Sequence, residues 1–240
     1  MERILRKINF EHYSKLINLV FSEKIKTITC INHYYLNLLY TNSRYQEDVE
    51  KFDLIFPDGI GMKLALMVLF NKSLRDVPYL TGSDFYLKVL EKVNKERGKI
   101  FLFGDKTDIL LKAKNFINDK YDGIKIVGYI DGYRNINNRE IIESINKEPI
   151  SILFVGIGPI KQEHWVIENR DLIKAGKIII VGGWFRILAM DRKRGPLWIR
   201  KAGLEWFVRL MTEPQKVWKR YLLGIPVFFV RIIILKLKML

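Results

Sequence analysis

Two lengths of hydrophobic pattern alternate along this chain. Short, unbroken apolar runs rich in β-branched residues lie at 27–31, 53–56, 99–103, 125–129, 150–155 and 177–181. Runs of this kind predict strands buried on both faces. Between them, apolar residues recur at three- and four-residue spacing over 34–40, 62–70, 108–119, 139–146 and 161–169, which predicts helices. A further helix is expected to run through Asn94, with Ser83 or Asp84 as its N-cap. Strand and helix in alternation predict an α/β fold: a largely parallel sheet with helices on both faces. Ligands of such sheets bind beyond the carboxyl ends of the strands. Four turns fall there: Pro57-Asp58-Gly59, Gly104, Gly156 to Gly158, and Gly182-Gly183. The pattern changes after residue 191, so the chain divides into an α/β core, 1–191, and a helical appendage, 192–240. No internal repeat or low-complexity linker interrupts either part.

Charge sharpens that division. The chain has 41 Lys and Arg against 26 Asp and Glu, a net charge of +15. The appendage holds twelve of the cations and only two acids, Glu205 and Glu213, so it carries +10 and the core +5. It also holds Trp198, Trp206 and Trp218, with Phe207, Tyr221, Phe228, Phe229 and the run 232–235. Nucleic-acid arms are polar between their charges; a basic segment with Trp and Leu on the opposing face suits an anionic membrane surface instead. The alternative is a helix pair docked on its own core or on another subunit. The stretch 222–235 is too short to span a bilayer and is interrupted by Arg231. The expected position is therefore on a membrane, not through it. Arg209, Lys216 and Lys219 recur at spacings that share one helical face, and Pro214 predicts a helix break near Glu213. Hydrophobic residues at 49% and charged ones at 28% exclude a disordered chain. The single Cys30 and the charged N-terminus, without a signal-peptide core, lead to a cytoplasmic expectation.

Candidate chemistry concentrates at two turns. In residues 154–163, Gly156 and Gly158 follow a strand, and Pro159, Lys161, Gln162 and Glu163 open a helix. Glycines let backbone approach a phosphate and a helix start supplies amide donors. Lys161 occupies the place of the third glycine of a dinucleotide fingerprint, which weakens a nicotinamide reading. An ordinary strand–helix turn explains the local pattern equally well. Asp58 sits on a rigid turn at a strand end, where a carboxylate can act as general base on a sugar hydroxyl or simply form the turn. His12, His33 and His164 lie far apart, and no Asp-x-Asp pair or P-loop is present, so no metal site and no cofactor is expected.

Three segments together resemble the WecG/TagA/CpsF glycosyltransferases (glycosyltransferase family 26). They are residues 57–61, Pro-Asp-Gly-Ile-Gly; residues 155–163 with Trp165 and Glu168-Asn169; and a long tail motif. That motif runs from Val181-Gly-Gly through Phe185, Lys193-Arg194, Pro196, Trp198, Gly203 to Trp206, Arg209, Glu213-Pro214 and Trp218 to Tyr221. The resemblance implies an inverting, metal-independent, Rossmann-like enzyme of bacterial cell-surface polysaccharide synthesis. It would move N-acetylmannosamine, its uronic acid or a hexose from a UDP donor to a sugar on undecaprenyl diphosphate at the inner membrane face. It further implies Asp58 as base and Gln162 near the substrates. Asn32, Gly104, Gly156, Gly158, Pro159, Lys161, Glu163, Gly182 and Gly183 fall to the donor diphosphate, and Arg209, Lys216, Lys219 and Arg220 to the acceptor diphosphate and membrane. Self-association is allowed. Three positions depart from the family pattern: Cys30 replaces a threonine, Arg186 an aspartate, and Tyr79 stands where a basic residue is usual. Two other classes compete, a basic nucleic-acid-binding α/β protein and a catalytically silent membrane scaffold.

Overall fold

The computed structural model describes residues 1–239. The chain opens with helices α1 (Glu2–Lys7) and α2 (Tyr13–Val20), then β1 (Thr27–Ile31), α3 (His33–Thr41), α4 (Ser43–Glu50), β2 (Leu54–Pro57) and α5 (Gly59–Phe70). It continues through α6 (Gly82–Lys95), β3 (Lys99–Gly104), α7 (Thr107–Lys120), β4 (Lys125–Ile130), α8 (Asn138–Ile145), β5 (Ile150–Gly156), α9 (Lys161–Asn169) and β6 (Ala175–Ile180). The six strands form one parallel sheet in the order β2-β1-β6-β5-β3-β4. Side chains of successive strand residues alternate between two cores. Ile31, Phe101, Phe103, Leu153, Val155 and Ile178 face the core built with α1, α3, α4, α5, α8 and α9. Ile28, Ile100, Leu102, Phe154 and Ile179 face the core built with α2, α6 and α7. Helices therefore cover both faces, as the apolar runs predict.

Local departures have local causes. Asp53 lies outside β2 because its carboxylate clamps the start of β1, accepting from the amides of Lys26 and Thr27 and from Thr27 Oγ1. The N-cap of α6 is Thr81, not Ser83 or Asp84: it is the last extended residue, and its Oγ1 accepts from the Asp84 amide. Helices α1, α2 and α4 were not expected from the pattern.

After β6 come α10 (Trp184–Leu188), α11 (Leu197–Lys201), α12 (Glu205–Thr212), α13 (Pro214–Trp218), a wide π-type turn (Lys219–Leu223) and α14 (Gly224–Lys238). The break at Glu213 and the opening of α13 by Pro214 are as expected. Helix α14 packs on α3 and α5, burying Phe228, Ile232 and Leu235. Each such side chain contributes roughly 1.5–3 kcal/mol. Its other face exposes Val230, Ile233 and Leu237. The docked reading thus holds for one face of α14, and its other face is bare and apolar. Among the described residues no helix is long and apolar enough to cross a membrane.

Candidate active site

A cavity of about 400 Å³ opens beyond the carboxyl ends of β2, β1 and β6, roofed by the tail. Asp58 stands at its floor. Gly59, with φ +86°, turns the chain directly from β2 into α5, which leaves Asp58 at the N-cap position without a capping bond. Its carboxylate reaches across instead. Oδ1 accepts from the Gly82 amide at 2.8 Å, and Oδ2 accepts from Asn32 Nδ2 at 3.2 Å. Asn32 caps α3 through Oδ1, which takes the amides of Tyr34 and Tyr35 and so commits its amino group to Asp58. The base candidate is therefore oriented by β1, β2 and α6 together.

Five cationic side chains line the cavity, Arg192, Lys193, Arg194, Arg209 and Arg220, against the acids Asp58 and Glu205. They fall into two groups. Arg194 is fully engaged, donating to Asp84 Oδ1 at 2.8 Å and to both oxygens of Glu205. Arg200 joins the same Asp84 oxygen at 2.8 Å. Arg220 is different. Among the described residues it has no carboxylate partner; Nη2 is 3.4 Å from Asn32 Oδ1, the guanidinium lies 4.4 Å from the Tyr34 ring centre, and Nε is buried without a partner. Arg209 Nε is likewise buried without a hydrogen bond and lies 4.0 Å from Glu213. Desolvation lowers the pKa of Arg220. Burial together with Arg220 and Arg209 pushes His33 down to about 3, so its imidazole is neutral.

Of the expected donor residues, Asn32, Gly182 and Gly183 line this cavity together with Asp58. The others do not. A Cβ on Gly104 would lie 2.3 Å from the Gly156 carbonyl oxygen, and one on Gly156 would lie 2.4 Å from that of Gly182. These glycines let three neighbouring strand ends pack backbone to backbone, a close-packing role in place of a phosphate cradle. Gly158 has open space around it but is outside the lining. Pro159 and Lys161 border a separate shallow hollow with Asp48 and His164. Of the expected tail cations, Arg209 and Arg220 line the cavity, whereas Lys216 and Lys219 are exposed outside it. The break at Glu213 and the wide turn after Trp218 change the helical phase, turning Arg220 and Tyr221 inward and Lys219 out over the Trp218 ring.

Gln162 and Glu163 are buried behind the cavity wall. Gln162 Nε2 donates to Tyr35 Oη at 3.0 Å and to Glu163 Oε1 at 2.9 Å, while Glu163 Oε2 accepts from the Ile160 amide at 2.8 Å. Burial pushes the Glu163 carboxyl up to about 7. The cavity-lining member of this set is Tyr35, which the sequence reading passed over as one of several tyrosines in α3. Cys30 is buried, 3.4 Å from Tyr86 Oη, and burial raises its thiol far above the ordinary range. Arg186 turns away from the cavity into a bidentate pair with Asp105, at 2.7 and 2.8 Å. Among the described residues no cluster of His, Cys, Asp or Glu is arranged to hold a metal ion.

A parallel α/β sheet whose strand ends carry a carboxylate opposite arginines sets a candidate base in a cationic cavity, an arrangement found in group-transfer enzymes of the α/β class. Family comparison makes this specific: residues 4–239 match the Glycosyl transferase WecG/TagA/CpsF family, and the chain belongs to it. A Bacillus subtilis (strain 168) relative is 33% identical over 76% of this chain and 69% of its own length. A Bacillus spizizenii relative is 30% identical over 77% and 70%, and a Staphylococcus aureus (strain NCTC 8325 / PS 47) relative is 27% identical over 85% and 78%. All three are named N-acetylglucosaminyldiphosphoundecaprenol N-acetyl-beta-D-mannosaminyltransferase.

Proposed function

We propose that the chain transfers N-acetylmannosamine from a UDP donor to N-acetylglucosamine on undecaprenyl diphosphate, with inversion and without a metal, in cell-surface polysaccharide synthesis. The observation that carries this reading is Arg220, which has no carboxylate partner among the described residues, beside Arg209 in the cavity that holds Asp58. Buried cations without carboxylate partners are costly unless an anion completes them, and both substrates bring a diphosphate. Asp58 takes the proton of the acceptor hydroxyl as its oxygen attacks the anomeric carbon. The bond from that carbon to the diphosphate oxygen breaks, and the electron pair leaves with UDP. Arg209 and Arg220 meet the charge that develops on the departing phosphate.

The segment 192–240 serves this reading twice. Arg209 and Arg220 close the cavity, while Trp198, Phe207, Trp218, Leu222, Ile233 and Leu237 offer an exposed apolar surface beside Lys216, Lys219 and Lys238. We place that surface against the inner face of the cytoplasmic membrane, where each nearby cation contributes about 1 kcal/mol on anionic lipid. Co-sedimentation with anionic but not neutral vesicles is expected; equal partitioning with both, or none, removes the membrane role. The test of the reaction is a screen of UDP-sugars, including UDP-N-acetylmannosamine, against a short-chain lipid diphosphate N-acetylglucosamine acceptor, with and without EDTA. Transfer that survives EDTA supports the reading. No transfer from any UDP-sugar overturns it, and loss on chelation with rescue by Mg²⁺ or Mn²⁺ overturns metal independence.

A further inference from the structure

The hydrogen-bond polarity behind the cavity wall can be worked out atom by atom. With Gln162 Nε2 facing Oε1, Glu163 accepts at both oxygens, from the Ile160 amide and from Gln162, the pattern of the ionised form it takes above a pKa of about 7. That same nitrogen is the one 3.0 Å from Tyr35 Oη, so its two N–H groups are divided between Glu163 and Tyr35. The Gln162 carbonyl oxygen is left buried with no partner. The consequence falls on Tyr35. Its oxygen accepts from Gln162, and its own O–H proton is free for another acceptor. The hydroxyl stands at the Gly182 end of β6, where a Cβ on that glycine would come within 3.4 Å of it, and Tyr35 lines the cavity.

We infer that Tyr35 is a substrate-contacting residue, donating its hydroxyl proton in a hydrogen bond to a phosphate oxygen of the nucleotide donor, and that Gln162 and Glu163 are positioning residues that act through it. This rests on the glycosyl-transfer reading above and assigns to Tyr35 the substrate contact that the family resemblance gave to Gln162. The acceptor atom is argued from charge: the cavity carries five cations against two acids, so the group that fills it is anionic. Burial and the charge of Glu163 hold the Tyr35 phenol well above its ordinary pKa of 10, so it keeps its proton and acts as a neutral donor. Leaving-group departure adds charge to the donor's terminal phosphate, so this hydrogen bond strengthens toward the transition state and in the UDP product.

Two substitutions separate this from a structural role. Tyr35→Phe keeps the ring beside Tyr34 and Tyr45, with centroids at 6.0 and 6.5 Å, and removes only the hydroxyl. Glu163→Gln is isosteric and leaves Tyr35 intact but reverses the polarity. If the new amide keeps its oxygen on Ile160 N–H, its nitrogen faces Gln162, which must flip to accept; the Tyr35 O–H then turns back toward the Gln162 oxygen and is withdrawn from the cavity. Both variants should lose about 10- to 100-fold in kcat with a much smaller change in donor KM. The double variant should lose no more than either alone, because both remove the same hydrogen bond. Calorimetry with UDP, without acceptor, should show about tenfold weaker binding for each. This arm stands whether or not transfer is observed, so failure of the reaction and failure of this inference are distinguishable. UDP affinity within twofold of wild type for folded Tyr35→Phe, or losses that multiply in the double variant, would overturn it.

Discussion

Two walls of the same cavity use arginine in opposite ways. On the α6 side, Arg194 and Arg200 are neutralised by Asp84 and Glu205 in a mostly buried network that ties the tail to the segment whose Gly82 amide holds Asp58. On the α3 side, Arg220 reaches the cavity with no carboxylate partner among the described residues, and Arg209 with only Glu213 at 4.0 Å. Paired charges fix geometry; buried cations short of partners store affinity for an anion. One basic tail thus holds a latch and a receptor, and net charge alone does not separate them.

The largest effect expected is at the floor that both walls surround. Asp58→Asn should lower kcat by about 10²–10⁴-fold, the range for a lost general base, with UDP affinity nearly unchanged. Retention of more than a third of wild-type turnover would remove Asp58 from the proton transfer. Next is the latch: Arg194→Met leaves Asp84 and Glu205 to Arg200 alone, and both acids are partly solvated, so the expected loss is about 1–2 kcal/mol of unfolding free energy by chemical denaturation. Arg220→Gln should do the reverse, weakening UDP or pyrophosphate binding by about 10- to 100-fold in calorimetry while leaving the melting temperature equal or higher. If Arg194→Met costs only affinity and Arg220→Gln only stability, the contrast between the walls is wrong. A more gradual effect is in pH. The unfolded chain protonates His33 near 6.5, whereas the folded chain resists until about 3. Within that window the unfolded state binds more protons, so stability falls as pH drops, by at most about 1.4 kcal/mol per unit from this group. Denaturation midpoints of His33→Gln at pH 7, 6, 5 and 4 should fall less steeply than those of wild type.

What was legible in the sequence follows from how local each signal is. The strands at 27–31 and 150–156 are read directly, since burial on both faces demands unbroken apolar runs. Helix α4 escaped because its sequence, Ser-Arg-Tyr-Gln-Glu-Asp-Val-Glu, buries only Tyr45, Asp48 and Val49. Asp58 was recognised from its turn and the family motif. Tyr35 was not, because its partner Gln162 is 127 residues away and α3 offers Tyr34 and Tyr40 as equals. The division among tail cations was not legible for a related reason: spacing assigns Lys216 and Lys219 to the face of Arg209 only if the helix is continuous, and the Glu213 break with the wide turn leaves Arg209 and Arg220 in the cavity and the two lysines outside it.

The strand order also sets a timetable. β6 lies between β1 and β5, so the β1–β2 pair and the β3–β4–β5 trio share no ladder until residues 175–180 are in place. A ribosome delivers the chain from its N-terminus, and the sheet therefore closes only when most of the polypeptide has emerged. Most of the exposed large apolar side chains come after that strand, from Trp198 to the bare face of α14, together with Arg209 and Arg220. The tail's cations and apolar face thus emerge only once the scaffold they dock on can be complete, so the position of β6 in the sequence delays their exposure until the sheet can close.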